Sequence, residues 1–215
     1  MVEVIRSEDA VRIIAHMADK IEENRDYLSE LDAAIGDGDH GVSMVKSFRA
    51  VREEVERLRG KDIGTILRGV AMALISAVGG AMGPLFGTAF LRASQIAAGK
   101  QEIDLTDLVN MFEAAEAGVR ERGKANVGDK TMLDAIHPAV VAIKEAAAKG
   151  SSLLAAVERS VAGAEAGMKS TIPLVSKVGR SSRLGERTLG HQDPGATSCY
   201  LLLKAFYEAL ESGHR

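Results

Sequence analysis

Tryptophan is absent from this 215-residue chain, and cysteine occurs once, as Cys199. A single thiol excludes an intrachain disulfide, so the chain is not a small oxidised domain held by cross-links, and a reducing setting is expected. Aromatic residues make up only 4%, and alternating apolar and polar runs are missing, which leaves little from which to build a sheet core. No sign of charge dominates. The formal net charge is -3 and the basic residues are spread along the chain, so nothing favours nucleic acid as a partner. The stretch Met-Val-Glu-Val-Ile-Arg-Ser-Glu-Asp at the N-terminus lacks the apolar centre of a signal peptide, and the expected location is cytoplasmic.

One uncharged run, residues 69–91, is long enough for a membrane, which takes about 20 residues per helical span. Gly79, Gly80, Gly83, Pro84 and Gly87 interrupt it. It therefore reads as two buried helices meeting at a loop, and no membrane association is expected.

What the chain has in abundance is helical periodicity. Apolar residues recur as Val11, Ile14, Ala18, Ile21; Val45, Phe48, Val55, Leu58; Leu105, Leu108, Phe112, Ala115, Val119; and Leu154, Val157, Val161, Ala164, Met168. This spacing predicts an all-α protein of one domain. Glycines, prolines and capping residues divide it into eight helices near 8–31, 40–59, 62–79, 84–99, 104–123, 130–148, 152–170 and 195–213, with Asp62, Asp104 or Thr106, and Ser152 as N-caps. Pro138 predicts a kink or a late start in the sixth. In an up-and-down bundle alternate connections share an end. Those after helices one, three, five and seven are rich in glycine and polar groups, and the last, residues 171–194, is longer than a bundle connection needs, so the functional rim is placed there.

The first of these connections contains Asp32, Asp37 and Asp39 within Leu31-Asp-Ala-Ala-Ile-Gly-Asp-Gly-Asp-His-Gly41, and no Lys or Arg. Converging carboxylates repel unless a cation neutralises them, and an all-oxygen donor set suits a hard ion such as Mg²⁺, Mn²⁺ or Ca²⁺. The opposing connections carry Lys124 and Lys130, then Arg180, Arg183 and Arg187, of which Arg187 reads as surface or as a partner of Glu186. Acids that hold metal facing bases that hold anions suit a metal-polyphosphate. His40, Gly41, Val42 and Ser43 open the second helix, whose amides and dipole point into the same space. His40 and His191 remain open between ligand contact and structure; His16, His137 and His214 are assigned to structure or solvent, and Cys199 to packing. Two lookalikes fail. The lysine after Gly123-x4-Gly128 is out of register for a P-loop, and the run from Asp37 has Phe48 where an EF-hand closes with Glu.

Four motifs in order, Ile35-Gly-Asp-Gly-Asp-His-Gly41, Gly79-Gly-Ala-Met-Gly-Pro-Leu-Phe-Gly87, Gly128-Asp-Lys-Thr-Met-Leu-Asp134, and Gly179-Arg-Ser-Ser-Arg-Leu-Gly-Glu-Arg187 running on to Gly190-His-Gln-Asp-Pro-Gly-Ala-Thr197, resemble the L subunits of bacterial dihydroxyacetone kinases. The resemblance implies a barrel of eight antiparallel helices with ADP or ATP and two Mg²⁺ ions at one end. It implies metal binding by Asp32, Asp37 and Asp39, and nucleotide contacts from His40, Gly41, Ser43, Ala81, Met82, Gly123, Met132, Arg180, Asp193, Pro194 and Gly195. Its implied partners are a K subunit that holds dihydroxyacetone and a phosphohistidine carrier, the M subunit, that rephosphorylates ADP in place; a homodimer is left open. The chain departs from the family pattern at Met82, where a small hydroxyl residue is expected, and at Arg183, in place of an aromatic. The weighed alternatives are a kinase subunit acting on another ketose, a two-metal hydrolase and a noncatalytic helical module.

Overall fold

The computed structural model describes residues 3–213 and is almost wholly helical. Nine α-helices are found among those residues: α1 (Ser7–Glu23), α2 (Arg25–Ile35), α3 (His40–Arg57), α4 (Ile63–Ala77), α5 (Met82–Ile96), α6 (Leu105–Gly123), α7 (Leu133–Ala148), α8 (Leu153–Ser170) and α9 (Pro194–Ser212). The expected first helix, 8–31, is two helices. Asn24 turns its side-chain amide back to donate to the Lys20 carbonyl at 2.8 Å, and this competition with the backbone ends α1 one residue before α2 starts. The other correction to the helix boundaries is α7, which begins at Leu133 rather than residue 130 because Lys130 adopts a positive φ of 62°.

Helices α1 and α3 to α9 pack in sequence, each on the next, and α9 returns to pack on α1. Helix α2 stays outside this circuit, with only Leu28 and Ile35 buried, against α3 and α9. The periodic residues face inward as their spacing requires: Val11, Ile14, Ala18 and Ile21 are all buried, as are Val45, Phe48 and Val55. Each fully buried Val, Ile, Leu or Phe side chain contributes about 1.5–3 kcal/mol, far more than the exposed ion pairs that decorate the outer faces. Small residues set the closest crossings. A Cβ on Gly167 would lie 2.0 Å from the Asp134 carbonyl oxygen and one on Gly163 2.6 Å from that of Pro138, so α8 lies directly against the backbone of α7. Between the helices lies an apolar cavity of about 200 Å³ lined by residues such as Ile14, Phe90, Met111 and Phe206.

At one end of the circuit the short connections meet the N-terminal segment. Strand β1 (Ile5–Arg6) pairs antiparallel with β2 (Glu102–Ile103), burying Ile5 and Ile103, and Asp62, the N-cap of α4, also accepts from the Gly99 amide at 3.0 Å. The predicted caps Asp104 and Ser152 hold their helices too. Among the described residues no helix is long and apolar enough to cross a membrane. The uncharged run forms α4 and α5 around the loop at 78–81, as expected.

Candidate functional site

The remaining connections gather at the other end. Residues 36–39 join α2 to α3, and in the carboxylates of Asp32, Asp37 and Asp39 one oxygen each lies within 4.8 Å of the others. Asp32 comes from the last turn of α2, and its Oδ2 accepts from the His40 amide at 3.2 Å, fixing one acid against the start of α3. Gly41 allows this approach: a Cβ there would stand 2.0 Å from the Arg25 carbonyl oxygen. Asp37 and Asp39 are exposed. Their neutralising group arrives from the far side of the rim, where Arg180 pairs with Asp37 and its Nη1 lies 4.0 Å from Asp39.

His40 shows how the first turn of α3 meets that of α9. Its Nε2 lies 2.7 Å from the Ser198 hydroxyl, which in turn donates to the Pro194 carbonyl at 3.0 Å. Burial pushes the His40 pKa below the ordinary histidine value, against the attraction of Asp32, so the ring is held neutral. The Ser43 amide is already bound to the Asp39 carbonyl at 2.9 Å and that of His40 to Asp32, so Ser43 offers the site its hydroxyl, while the amides of Gly41 and Val42 form the open part of the first turn. The Val42 side chain itself is exposed.

The first turn of α5 packs on the end of α6, where a Cβ on Gly123 would lie 3.2 Å from Leu85. Ala81 is the N-cap of α5 and Met82 its first residue, half-buried against the core. Met132 precedes α7 and touches the start of α9: a Cβ on Gly195 would come within 3.7 Å of it. Asp193, expected at the ligand, is turned inward as the N-cap of α9; it is buried and accepts from the Ala196 amide at 2.7 Å. Its desolvation raises its pKa to about 7, with nearby Asp134 pushing the same way and the Ala196 amide and Lys130 opposing.

Lys130 requires correction. Read from sequence as an anion holder, it is 1% exposed, and its ammonium donates to backbone carbonyls instead. Lys124 and Arg183 are exposed at the rim, as is Arg187. His191 enters the structure by its carbonyl, 2.5 Å from Lys130 Nζ. His16 pairs with Glu208 at 3.3 Å and His137 with Glu116 at 2.8 Å, while Cys199 is buried beside the apolar cavity; His214 lies outside the described residues. Sequence reasoning missed Ser198 and gave Asp134 no role. Asp134 is buried and accepts from the Gly128 and Thr131 amides at 2.5 and 2.7 Å, shaping the loop before α7. An acid at the start of a helix was its only signal.

Residues 34–208 match the DAK2 domain. The chain belongs to the DAK2 family. Its relatives include the PEP-dependent dihydroxyacetone kinase ADP-binding subunit DhaL of Escherichia coli K12, 45% identical over 83% of this chain and 85% of that protein. The ADP-binding subunit DhaL of PEP-dependent dihydroxyacetone kinase 2 from Listeria innocua is 40% identical over 93% of each chain. Among solved structures, the native dihydroxyacetone kinase of C. freundii superposes with a TM-score of 0.71 at 25% identity, covering 93% of this chain and 34% of the larger enzyme. The same enzyme has been solved with AMP-PNP and Mg²⁺, again with a TM-score of 0.71 at 24% identity, a likeness of fold. The DAK2 fold thus places the carboxylates, the open first turn of α3 and Arg180 on one rim, and their oxygen-only donor set fits a hard divalent cation.

Proposed function

We propose that the chain is the ADP-binding subunit of a dihydroxyacetone kinase, a phosphotransferase that holds ADP or ATP with two Mg²⁺ ions at this rim. Asp32, Asp37 and Asp39 are the residues that would hold the metal. A Mg²⁺ ion held by them would supply the positive charge that neutralises phosphate oxygens during transfer. The observation that carries the reading is the convergence of those three carboxylates, two of which face Arg180. Three acids and one guanidinium leave an excess of negative charge, and a guanidinium paired to an exposed acid is bound weakly enough to exchange for phosphate.

The Gly41 and Val42 amides of the first turn of α3 and the exposed Arg180 then clamp the polyphosphate from two sides. As the resemblance to the L subunits implies, the acceptor, dihydroxyacetone, sits on a partner K subunit, and this chain supplies the donor half of a shared site. The PEP dependence in the names of the E. coli and Listeria relatives supports a phosphohistidine carrier that restores the γ-phosphate on ADP in place.

Calorimetric titration of the chain with ADP is the direct test. Binding that requires Mg²⁺ is expected, and an absence of heat both with and without Mg²⁺ would sink the proposal. Turnover with a K-type subunit, sustained by a phosphohistidine donor and not by free ATP, then separates this subunit from an ATP-dependent kinase of another ketose.

A further inference from the structure

The Lys130 ammonium lies 2.9 Å from the carbonyl oxygen of Thr171, 3.1 Å from that of Leu174, 2.7 Å from that of Thr188 and 2.5 Å from that of His191. Three N–H donors facing four carbonyls are saturated, so no donor is left for a phosphate. The four carbonyls form two pairs. Thr171 and Leu174 lie where residues 171–193 leave α8, and Thr188 and His191 lie where they return towards α9. Arg180 sits between the pairs, just before the short 3-10 segment Ser181–Thr188, and reaches across to Asp37.

We propose that Lys130 is a positioning residue: its ammonium clasps the two stems of the 171–193 connection and so aims Arg180 at the carboxylates. The inference rests on the functional reading above for the role of Arg180, and on geometry for the clasp. Lys130 holds φ at 62°, a left-handed conformation that a side-chain-bearing residue adopts at a cost of about 1 kcal/mol or more. The cage stabilises the residue in that conformation. Smaller bonds follow the same seam: Gly190 donates its amide to the Ile172 carbonyl at 2.9 Å, Ser176 to the Thr188 hydroxyl at 2.9 Å, and Lys177 to the Asp129 carbonyl at 3.1 Å. Without the ammonium, four converging carbonyl dipoles face one another in a buried space, and the stems must part to let water in.

The test uses the full chain, as parent, Lys130→Met, Arg180→Gln and the double variant. Calorimetry measures the affinity for ADP in Mg²⁺, and trypsin measures the opening of the segment through cleavage after Arg180 and Arg183. Each single variant is expected to weaken binding about tenfold, and the double variant no more than about twofold beyond Arg180→Gln, because residues acting as one unit are not additive. Cleavage of the segment in Lys130→Met should be faster by at least about tenfold. Unchanged affinity in Lys130→Met, additive losses, or unchanged cleavage overturns the clasp. A parent chain that binds no ADP with Mg²⁺ defeats the functional reading, and cleavage still decides the clasp on its own. Should Lys130→Met lose the parental far-UV circular dichroism, Lys130→Gln, which keeps two donors, takes its place. If both lose it, the ammonium supports the whole fold and the local clasp is overturned.

Discussion

Two charged devices stand side by side on the rim and treat charge in opposite ways. In the acid loop, Asp37 and Asp39 are exposed and share one exposed guanidinium. In the lysine cage, one cation is buried and every donor is matched to a backbone carbonyl. Both came from the same kind of glycine-rich connection, and both looked from sequence like ligand groups. The difference lies in what remains unsatisfied. Charge left in excess at a solvent-facing site is capacity for a ligand, whereas charge matched in a buried site is structure, and removing it leaves carbonyls stranded.

The sharpest break in this comparison comes from the acids. Asp37→Asn and Asp39→Asn together should reduce Mg²⁺-dependent ADP affinity by at least about a hundredfold, about 2.7 kcal/mol, because the oxygen donors for the metal go with the charge. The melting temperature should not fall, since the ion pairs lost are exposed. Loss of affinity accompanied by an equal loss of stability would show that the acids serve the fold. Lys130→Met should behave in the opposite sense in a thermal melt. Stranding buried carbonyls is expected to cost about 3 kcal/mol, or a drop of roughly 6–12 °C for a chain of this size. A melting point within a degree of the parent would place Lys130 among the surface lysines.

The sequence revealed the acids and the loop parity but not the cage, and the reason is physical. Asp32, Asp37 and Asp39 are side chains crowded into one short stretch, so their repulsion can be inferred before any fold is known. The gathering of connections at one rim follows from counting helices, and it survived the split of the first one because α2 lies outside the circuit and only lengthens that connection. The acceptors of Lys130, by contrast, are main-chain oxygens of Thr171, Leu174, Thr188 and His191. Every residue has such an oxygen, so no pattern of residue types marks them. The cap role of Asp193 was hidden for a related reason. Asp-Pro-Gly marks a helix start, and the same residues serve a ligand or a cap; burial decides between them, and burial is a property of the packed chain.

Gly41 tests the comparison from between the two devices, where α3 touches α2. Gly41→Ala would put a Cβ 2.0 Å from the Arg25 carbonyl oxygen, and relief requires the start of α3 to move away from Asp32. Overpacking of this kind costs about 1–3 kcal/mol. Affinity for ADP in Mg²⁺ should fall by roughly tenfold, because the His40 amide and Asp32 separate, while cleavage of the 171–193 segment by trypsin stays at the parental rate. Faster cleavage would mean that the acid loop and the cage are one mechanical unit.

Asp193 gives an effect that depends on pH, and it bears on how burial treats an acid on the cage side of the rim. Burial raises its pKa from 3.8 to about 7 in the folded chain, so the folded form keeps a proton that the unfolded form has released over that interval. Its contribution to stability is full below pH 3.8 and is lost as pH rises through about 7, with a slope of no more than about 1.4 kcal/mol per pH unit for one proton. Asp37 and Asp39, exposed and facing Arg180, have no such burial to overcome. Asp193→Asn can still accept from the Ala196 amide, and it has no proton to lose. Urea denaturation of parent and variant at matched pH values isolates the group, because every other carboxylate is common to both. The variant should gain on the parent steadily between pH 5 and pH 7, within the interval that ends near 7, and the gap should level off above it. Parallel curves would mean that the Asp193 carboxylate is ionised throughout, stabilised by the Ala196 amide and the neighbouring Lys130 against its own burial.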